Sequence, residues 1–260
     1  MNGDEKIDIA IKRDYLVVKG NELIQKNRFE LSLQEQKTVA FICSMIKPID
    51  ALDRAKGVPY QLEYVFNIRD YCKICGIDYD SGKNYADVKA TLKRLRDRSM
   101  WITMADGSET VVSWLDRVTT NKKSGLAKVR IDDRLAPYLF DLGQRFTQYQ
   151  LYNILAMKSA FSVRVYELLK SYAFQHTKIF DLDELKRLLM VDDVKSYQNY
   201  KDFRKKVLEV SEKEINENTD LYIQYAPIYR GRKVVKISFD ISYKNEWIGS
   251  RTTETRESHE

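Results

Sequence analysis

Asn84-Tyr85-Ala86-Asp87-Val88-Lys89 and Asn199-Tyr200-Lys201-Asp202-Phe203-Arg204 share one pattern, Asn-Tyr-x-Asp-apolar-basic, at an offset of 115 residues. The apolar positions continue in step. Tyr85, Val88, Leu92 and Leu95 map onto Tyr200, Phe203, Val207 and Val210. Spacing of i, i+3, i+7, i+10 predicts the buried stripe of an amphipathic helix. Upstream, Ile68, Tyr71 and Cys75 correspond to Leu182, Leu185 and Leu189, which predicts a shorter helix before each long one. Asn67 and Asp181 precede these short helices and suit an N-cap, because a short side-chain acceptor satisfies an orphan helix N–H. Asp70 and Glu184 follow three residues later, where a carboxylate favours the positive end of the helix dipole.

Downstream of each long helix the period falls to two. Met100-Trp101-Ile102-Thr103-Met104, a turn at Asp106-Gly107 and Thr110-Val111-Val112-Ser113-Trp114-Leu115 read as a hairpin. In the second half Leu221-Tyr222-Ile223-Gln224-Tyr225, Arg230-Gly231-Arg232 and Val234-Val235-Lys236-Ile237-Ser238-Phe239 read as another. Short helix, turn, longer basic helix and hairpin is the order of a winged helix. The fold class is therefore α+β, with two tandem winged-helix domains related by an internal repeat. An upstream helix should close each core. Residues 32–46 supply the first, with the capping box Ser32-x-x-Glu35 and the stripe Val39, Ile42, Cys43, Ile46. Residues 152–174 supply the second, with Phe161, Val165, Leu168, Leu169 and Tyr172 at helical spacing. Residues 125–132 read as a closing strand, and 134–142 as a short connecting helix with Pro137 in its first turn and Gly143 at its end. These readings place the first domain at 1–143, the second at 144–246 and a disordered polar tail at 247–260.

The chain has 260 residues and a formal charge of only +6. Residues 83–98 hold six Lys/Arg against two Asp, a net +4, and 195–206 hold five Lys/Arg against Asp202, again +4. These two segments exceed the charge of the whole chain, so the cationic surface is concentrated on the repeated helices. Arg230, Arg232 and Lys233 add to it at the second hairpin, and Lys122 and Lys123 in a loop of the first half. Phosphates attract Lys and Arg through charge and counterion release, and a helix fits the major groove with its N-terminal residues at base edges. Ser196, Tyr197, Gln198, Asn199 and Lys201 stand at that end of the second helix, with Arg204 and Lys205 one turn on. Ser81, Lys83, Asn84, Ala86 and Lys89 hold the equivalent place in the first. Gln, Asn and Arg make bidentate base contacts, so the second helix is the expected reader and the first leans on phosphates.

Other chemistry is poorly supplied. There are two histidines, His176 and His259, and no glycine-rich phosphate loop or His-x-His pair. Cys72-Lys73-Ile74-Cys75 is a lone CxxC whose cysteines fall on the apolar stripe of a short helix, which favours core packing over zinc. No enzyme activity, metal or cofactor is expected. Three cysteines, a polar start (Met1-Asn2-Gly3-Asp4-Glu5-Lys6) and no long apolar run suggest a reduced, cytoplasmic protein without a membrane partner. Tyr and Phe are plentiful but fall mostly on buried stripes.

Several segments resemble the iteron-binding replication initiators of theta-replicating bacterial plasmids. Arg164-x-Tyr166-Glu167-Leu168-Leu169-Lys170-Ser171-Tyr172 resembles the family's helix leading into its second winged helix. Tyr200-x-x-Phe203-x-x-x-Val207-Leu208 with Glu214-Ile215-Asn216-x-x-Thr219-Asp220 resembles its recognition helix and exit. Gly231-Arg232-Lys233-Val234 with Ile237-x-Phe239 resembles its last wing, and Tyr15-Leu16-Val17-Val18-Lys19-Gly20-Asn21-Glu22-Leu23 its N-terminal segment. The resemblance implies monomers that bind directly repeated origin sequences in double-stranded DNA, with the two winged helices in successive major grooves. It implies help in melting the adjacent duplex and in loading host initiator and helicase machinery. It also implies a homodimer, joined largely through the first domain, that represses the protein's own gene. Carried onto this chain, groove reading falls to Gln198, Asn199, Lys201, Arg204 and Lys205. Backbone contact falls to Lys83, Lys89, Lys93, Arg230, Arg232 and Lys233, with Asn84 beside them. The rival reading is a tandem winged-helix transcriptional regulator without initiator activity; an origin nickase or primase lacks the residues.

Overall fold

The computed structural model describes residues 15–77, 82–103, 107–143 and 145–244. The chain divides into two compact units, Met1–Leu155 and Ala156–Glu260. The first unit runs β1 (Leu16–Gly20), α1 (Asn21–Gln25), α2 (Leu33–Cys43), α3 (Ala51–Ala55), β2 (Glu63–Asn67), α4 (Ile68–Cys75) and α5 (Gly82–Asp97). It continues with β3 (Ser99–Thr103), β4 (Glu109–Ser113), β5 (Leu115–Asn121), β6 (Leu126–Ile131), α6 (Ala136–Leu139), β7 (Phe146–Gln150) and α7 (Leu151–Leu155). The second unit runs α8 (Ala160–Lys170), β8 (Thr177–Asp181), α9 (Leu182–Leu188), a helical run over 200–218 called α10, then β9 (Leu221–Arg230) and β10 (Lys233–Tyr243).

The internal repeat is carried by the sheets. The first unit has an antiparallel sheet of order β2-β6-β5 and the second one of order β8-β10-β9. In both, a strand leads directly into the short helix, the long helix follows, and a hairpin returns to pair with the leading strand. This is the winged-helix topology twice over. The leading strands β2 and β8 are not apparent from periodicity, because each is five residues long and merges with the helix cap. Asn67 caps α4 as expected, its side chain accepting from the N–H groups of Arg69 (2.8 Å) and Asp70 (3.4 Å). Asp181 makes no such bond; its carboxylate instead pairs with Lys236 at 3.2 Å, on the neighbouring strand.

The first wing needs a correction. The hairpin expected from 100–115 exists as β3–β4, but it is a separate two-stranded sheet. The strand pair that returns to β2 is β5–β6, with Lys122 and Lys123 exposed at its tip. Asn121 shapes that tip by accepting from the N–H groups of Lys123 and Ser124, and Gly125 closes it with φ +68°. The β3–β4 hairpin is thus an insertion between the long helix and its wing. The expected turn residue Asp106 lies outside the described residues, as do Ser81, the start 1–14 and the tail 247–260. In the second half the wing stands where expected, extended to ten and eleven residues per strand, with Gly231 at φ +62° in its tip.

Two helices also differ from expectation. The single run anticipated over 152–174 is broken into α7 and α8, because Ser159 adopts an extended conformation and caps α8 by accepting from Phe161 and Ser162. The first unit then extends past Gly143, since β7 pairs with β1 from Leu16↔Gln150 to Gly20↔Phe146. The connecting segment is a 3-10 turn, Asp133–Leu135, followed by α6 with Pro137 in its opening turn.

Each unit has its own core. In the first, Phe41 of α2 meets Phe66 and Tyr71 edge-on at 5.2 and 5.0 Å, and the Tyr71 hydroxyl is held by Gln34 and Thr38, both at 2.7 Å. Val39, Ile42, Cys43 and Ile46 are buried on the predicted stripe. In the second, Phe180 lies between Tyr172 and Phe239, with Phe203, Val207 and Ile215 of α10 fully buried. All three cysteines are buried free thiols, and burial pushes Cys72 up to about 11, so they behave as apolar core groups.

Candidate nucleic-acid interface

The long basic helices are fixed by polar clamps that sequence spacing does not reveal. On α5, Arg94 donates from Nε to Glu35 Oε1 at 2.7 Å, and Arg98 lies 3.5 Å from Glu35 Oε2. Glu35 is fully buried and also completes the predicted capping box with Ser32. Burial raises its pKa, but the Ser32 N–H, Arg94 and Arg98 outweigh that and hold the carboxyl below its usual value. Two of the six cations of this segment therefore anchor the helix to α2. Lys93 is also engaged, with Asp97 one turn on. Lys89 is exposed and makes no ion pair among the described residues; Asn84 is half-buried at the helix start. The Lys83 side chain lies outside the described residues.

In the second unit α10 begins at Tyr200, later than the basic segment suggested. Residues Lys195–Tyr197 form a 3-10 turn, and Asn199 is the N-cap, its Oδ1 accepting from the Lys201 N–H at 2.9 Å. The Gln198 amide donates to the Asp192 carbonyl, and the Gln198 carbonyl accepts from Lys186 Nζ at 3.4 Å. Lys186 is buried, and burial lowers its pKa against the pull of Asp183; its ammonium also stands 5.7 Å from the Phe203 ring. Gln198 and Asn199 thus shape the entry to the helix. Lys201, Lys205 and Lys206 are exposed and form no ion pair among the described residues. Arg230, Arg232 and Lys233 stand exposed together at the wing tip.

The helix itself is irregular. Tyr200–Phe203 is α-helical, Arg204–Leu208 is a π-helical turn, and Glu209–Asn218 is α-helical again. A π-turn carries an extra residue per turn, so the buried stripe shifts by one. Phe203 and Val207 are buried as predicted, but the stripe then continues through Leu208, Ser211 and Ile215, leaving Val210 half-buried. Beside the turn, Lys201 and Arg204 line a cleft of about 440 Å³ with Tyr200 and Glu212, closed by Tyr225, Pro227 and Tyr229 of β9. Tyr225, Pro227 and Tyr229 alternate along β9, and only the fold places them against the helix. Burial pushes Tyr225 up to about 12, reinforced by Glu209.

The last turns of α10 and the residues just past it are its mounting. Glu214 accepts from the Lys158 and Ser159 N–H groups at 3.2 and 3.1 Å, tying α10 to the start of α8. Asn216 brackets Ile223 of β9, donating to its carbonyl at 2.8 Å and accepting from its N–H at 2.7 Å. The Thr219 hydroxyl ends the helix against the Ile215 carbonyl at 2.9 Å. Asp220 receives the Tyr166 hydroxyl at 2.8 Å and an ion pair from Lys170. The motif residues of α8 and of the helix exit thus meet in space, and they fix the helix relative to its wing.

Two winged helices, each with an exposed basic second helix and a cationic wing tip, define a tandem winged-helix DNA-binding protein. The family described as "Initiator Replication protein, WH1" matches residues 16–170, and "Initiator Rep protein, WH2" matches 181–241. The chain belongs to this family of replication initiator proteins. Two Escherichia coli proteins are similar to it. A "Replication initiation protein" is 23% identical over 237 residues, covering 88% of this chain and 70% of that protein. An "Uncharacterized 27.6 kDa protein" is 22% identical over 228 residues, covering 85% and 92%. Among solved structures, the "Crystal structure of Pi initiator protein in complex with iteron DNA" has the same fold, with a TM-score of 0.68, 18% identity and coverage of 89% of this chain and 98% of that one.

Proposed function

We propose that this chain starts replication of a plasmid by binding repeated sequences in double-stranded DNA at its origin. The observation that supports this most is the pairing, in both units, of one strand order with an exposed basic second helix. α10 reads base edges with Lys201, Arg204 and Lys205 while Gln198 and Asn199 set its entry. α5 contributes phosphate contacts through Lys83 and Lys89, with Asn84 and Lys93 beside them. The wing tip Arg230, Arg232 and Lys233 follows the backbone. Binding energy is then available to distort neighbouring base pairs and to present the protein to host helicase-loading machinery. A monomer acts at the direct repeats, and a homodimer represses the gene. The protein works in the cytoplasm, on the plasmid, as a binding protein rather than an enzyme.

Footprinting on the DNA flanking the gene tests this reading. The expected result is a ladder of protections at a fixed spacing of about one to two helical turns. A plasmid carrying only the gene and that DNA should transform and be maintained. A single protected operator without plasmid maintenance would instead indicate a transcriptional regulator.

A further inference from the structure

The π-turn of α10 creates a contact that a regular helix would not. In an α-helix, residues five apart point in directions about 140° apart, since each residue advances by about 100°. Across the π-helical turn Arg204–Leu208, the Arg204 Nη1 atom lies 3.5 Å from Glu209 Oε1. Both side chains are a little under half exposed, so the pair sits at the surface. The guanidinium keeps further N–H groups for other partners, because the contact engages one edge of a planar fork.

The repeat supplies a control. At the same offset, Arg204 and Glu209 correspond to Lys89 and Arg94 of α5, which is α-helical throughout. There the first position is a lysine with no ion pair among the described residues, and the second is an arginine turned to buried Glu35. At these aligned positions the carboxylate beside the helix cation therefore belongs to the second unit, together with the π-turn, whereas the ion pair of α5 is made one turn on, by Lys93 and Asp97. An unpartnered surface arginine is a good phosphate ligand and binds any duplex. A neighbouring carboxylate neutralises it, repels phosphate, and fixes the plane in which the remaining N–H groups can face guanine O6 and N7.

We propose that Glu209 is a positioning residue for specificity, holding Arg204 as a base reader and withdrawing it from general phosphate binding. This rests on the DNA-binding reading above.

The test uses the full-length chain, the wild-type repeat, a set of repeats substituted one base pair at a time, and random duplex of equal length. Glu209→Gln should bind random duplex more tightly and steepen the salt dependence by about one phosphate contact. It should lose about tenfold discrimination at one base pair, the pair at which Arg204→Ala also loses it, and keep the rest of the profile. Arg204→Lys keeps the charge without the fork and should lose the same base pair with Glu209 intact, which gives a second reading should Glu209→Gln not fold. Unchanged discrimination in Glu209→Gln, while the wild type distinguishes repeat from random duplex, overturns this proposal alone. A wild-type chain that binds both duplexes equally removes the DNA reading and this proposal with it.

Discussion

The helices α5 and α10 occupy the same place in the same topology and carry the same net charge over their basic segments, yet they use their cations differently. On α5 Arg94, with Arg98 just past the helix end, is drawn inward to a buried carboxylate, and Lys89, Lys93 and Arg96 remain exposed. In α10 the anchoring is done by neutral and acidic residues at its exit, Glu214, Asn216 and Thr219. That leaves Lys201, Arg204, Lys205 and Lys206 facing outward. A count of charges along a helix therefore measures two quantities at once, the charge offered to a ligand and the charge spent on packing. On the proposed DNA-binding reading, the first helix positions the protein on the duplex and the second reads it.

The comparison can be broken first at the level of the cores. Phe203 and Leu92 are fully buried, at the second and third positions of the shared stripe. Phe203→Ala should cost about 3–5 kcal/mol and Leu92→Ala about 2–5 kcal/mol. Chemical denaturation followed by circular dichroism checks both, and a loss below about 1 kcal/mol at either site would contradict the shared stripe.

Glu35→Gln comes next. It keeps the shape but removes the charge that Arg94 and Arg98 face, and should cost about 2–3 kcal/mol. A fully buried pair would cost about 3–5 kcal/mol, and these arginines are half-exposed. The pH dependence has a definite sign. The folded-state pKa of Glu35 is lowered, so its contribution is present above the ordinary carboxylate value of about 4.3 and is lost as pH falls through the folded value. Melting temperature measured from pH 6 down to 2 should fall for the wild type, and part of that fall should vanish in the variant.

The smaller effects separate the two helices by function. Arg204→Ala should weaken binding to the repeat by about 1–3 kcal/mol and relax preference at one position. Lys89→Ala should weaken every duplex alike, by under about 1 kcal/mol, and lower the salt slope by about one. Fluorescence anisotropy on specific and random duplexes distinguishes these outcomes, and exchange of the two signatures between the helices would reverse the assignment.

Much of this architecture is legible in the sequence because amphipathic stripes and a repeated motif are local signals. The stripe Ile68, Tyr71, Cys75 and its partner Leu182, Leu185, Leu189 are buried as the spacing requires. What sequence hides is pairing at long range. Alternation points to β3–β4 as the first wing, and only hydrogen bonding to β2 distinguishes β5–β6 as the equivalent of β9–β10. The contact of Arg94 with Glu35 spans 59 residues, and no local pattern announces it. The π-turn left no signature in the apolar spacing up to Val207, so the shift to Leu208 and Ser211 and the contact of Arg204 with Glu209 emerged only in three dimensions. For the candidate site, residue types and helix were readable, but which cations are already engaged was not.

The most direct measurement is a titration of the purified full-length chain, by anisotropy across a range of salt, on a duplex bearing the repeats proposed to flank its gene and on random duplex of the same length. The account predicts tighter binding to the repeats by about a thousandfold or more at physiological salt, and a steep fall in both affinities as salt rises. Equal affinity for the two duplexes, or binding indifferent to salt, would contradict it.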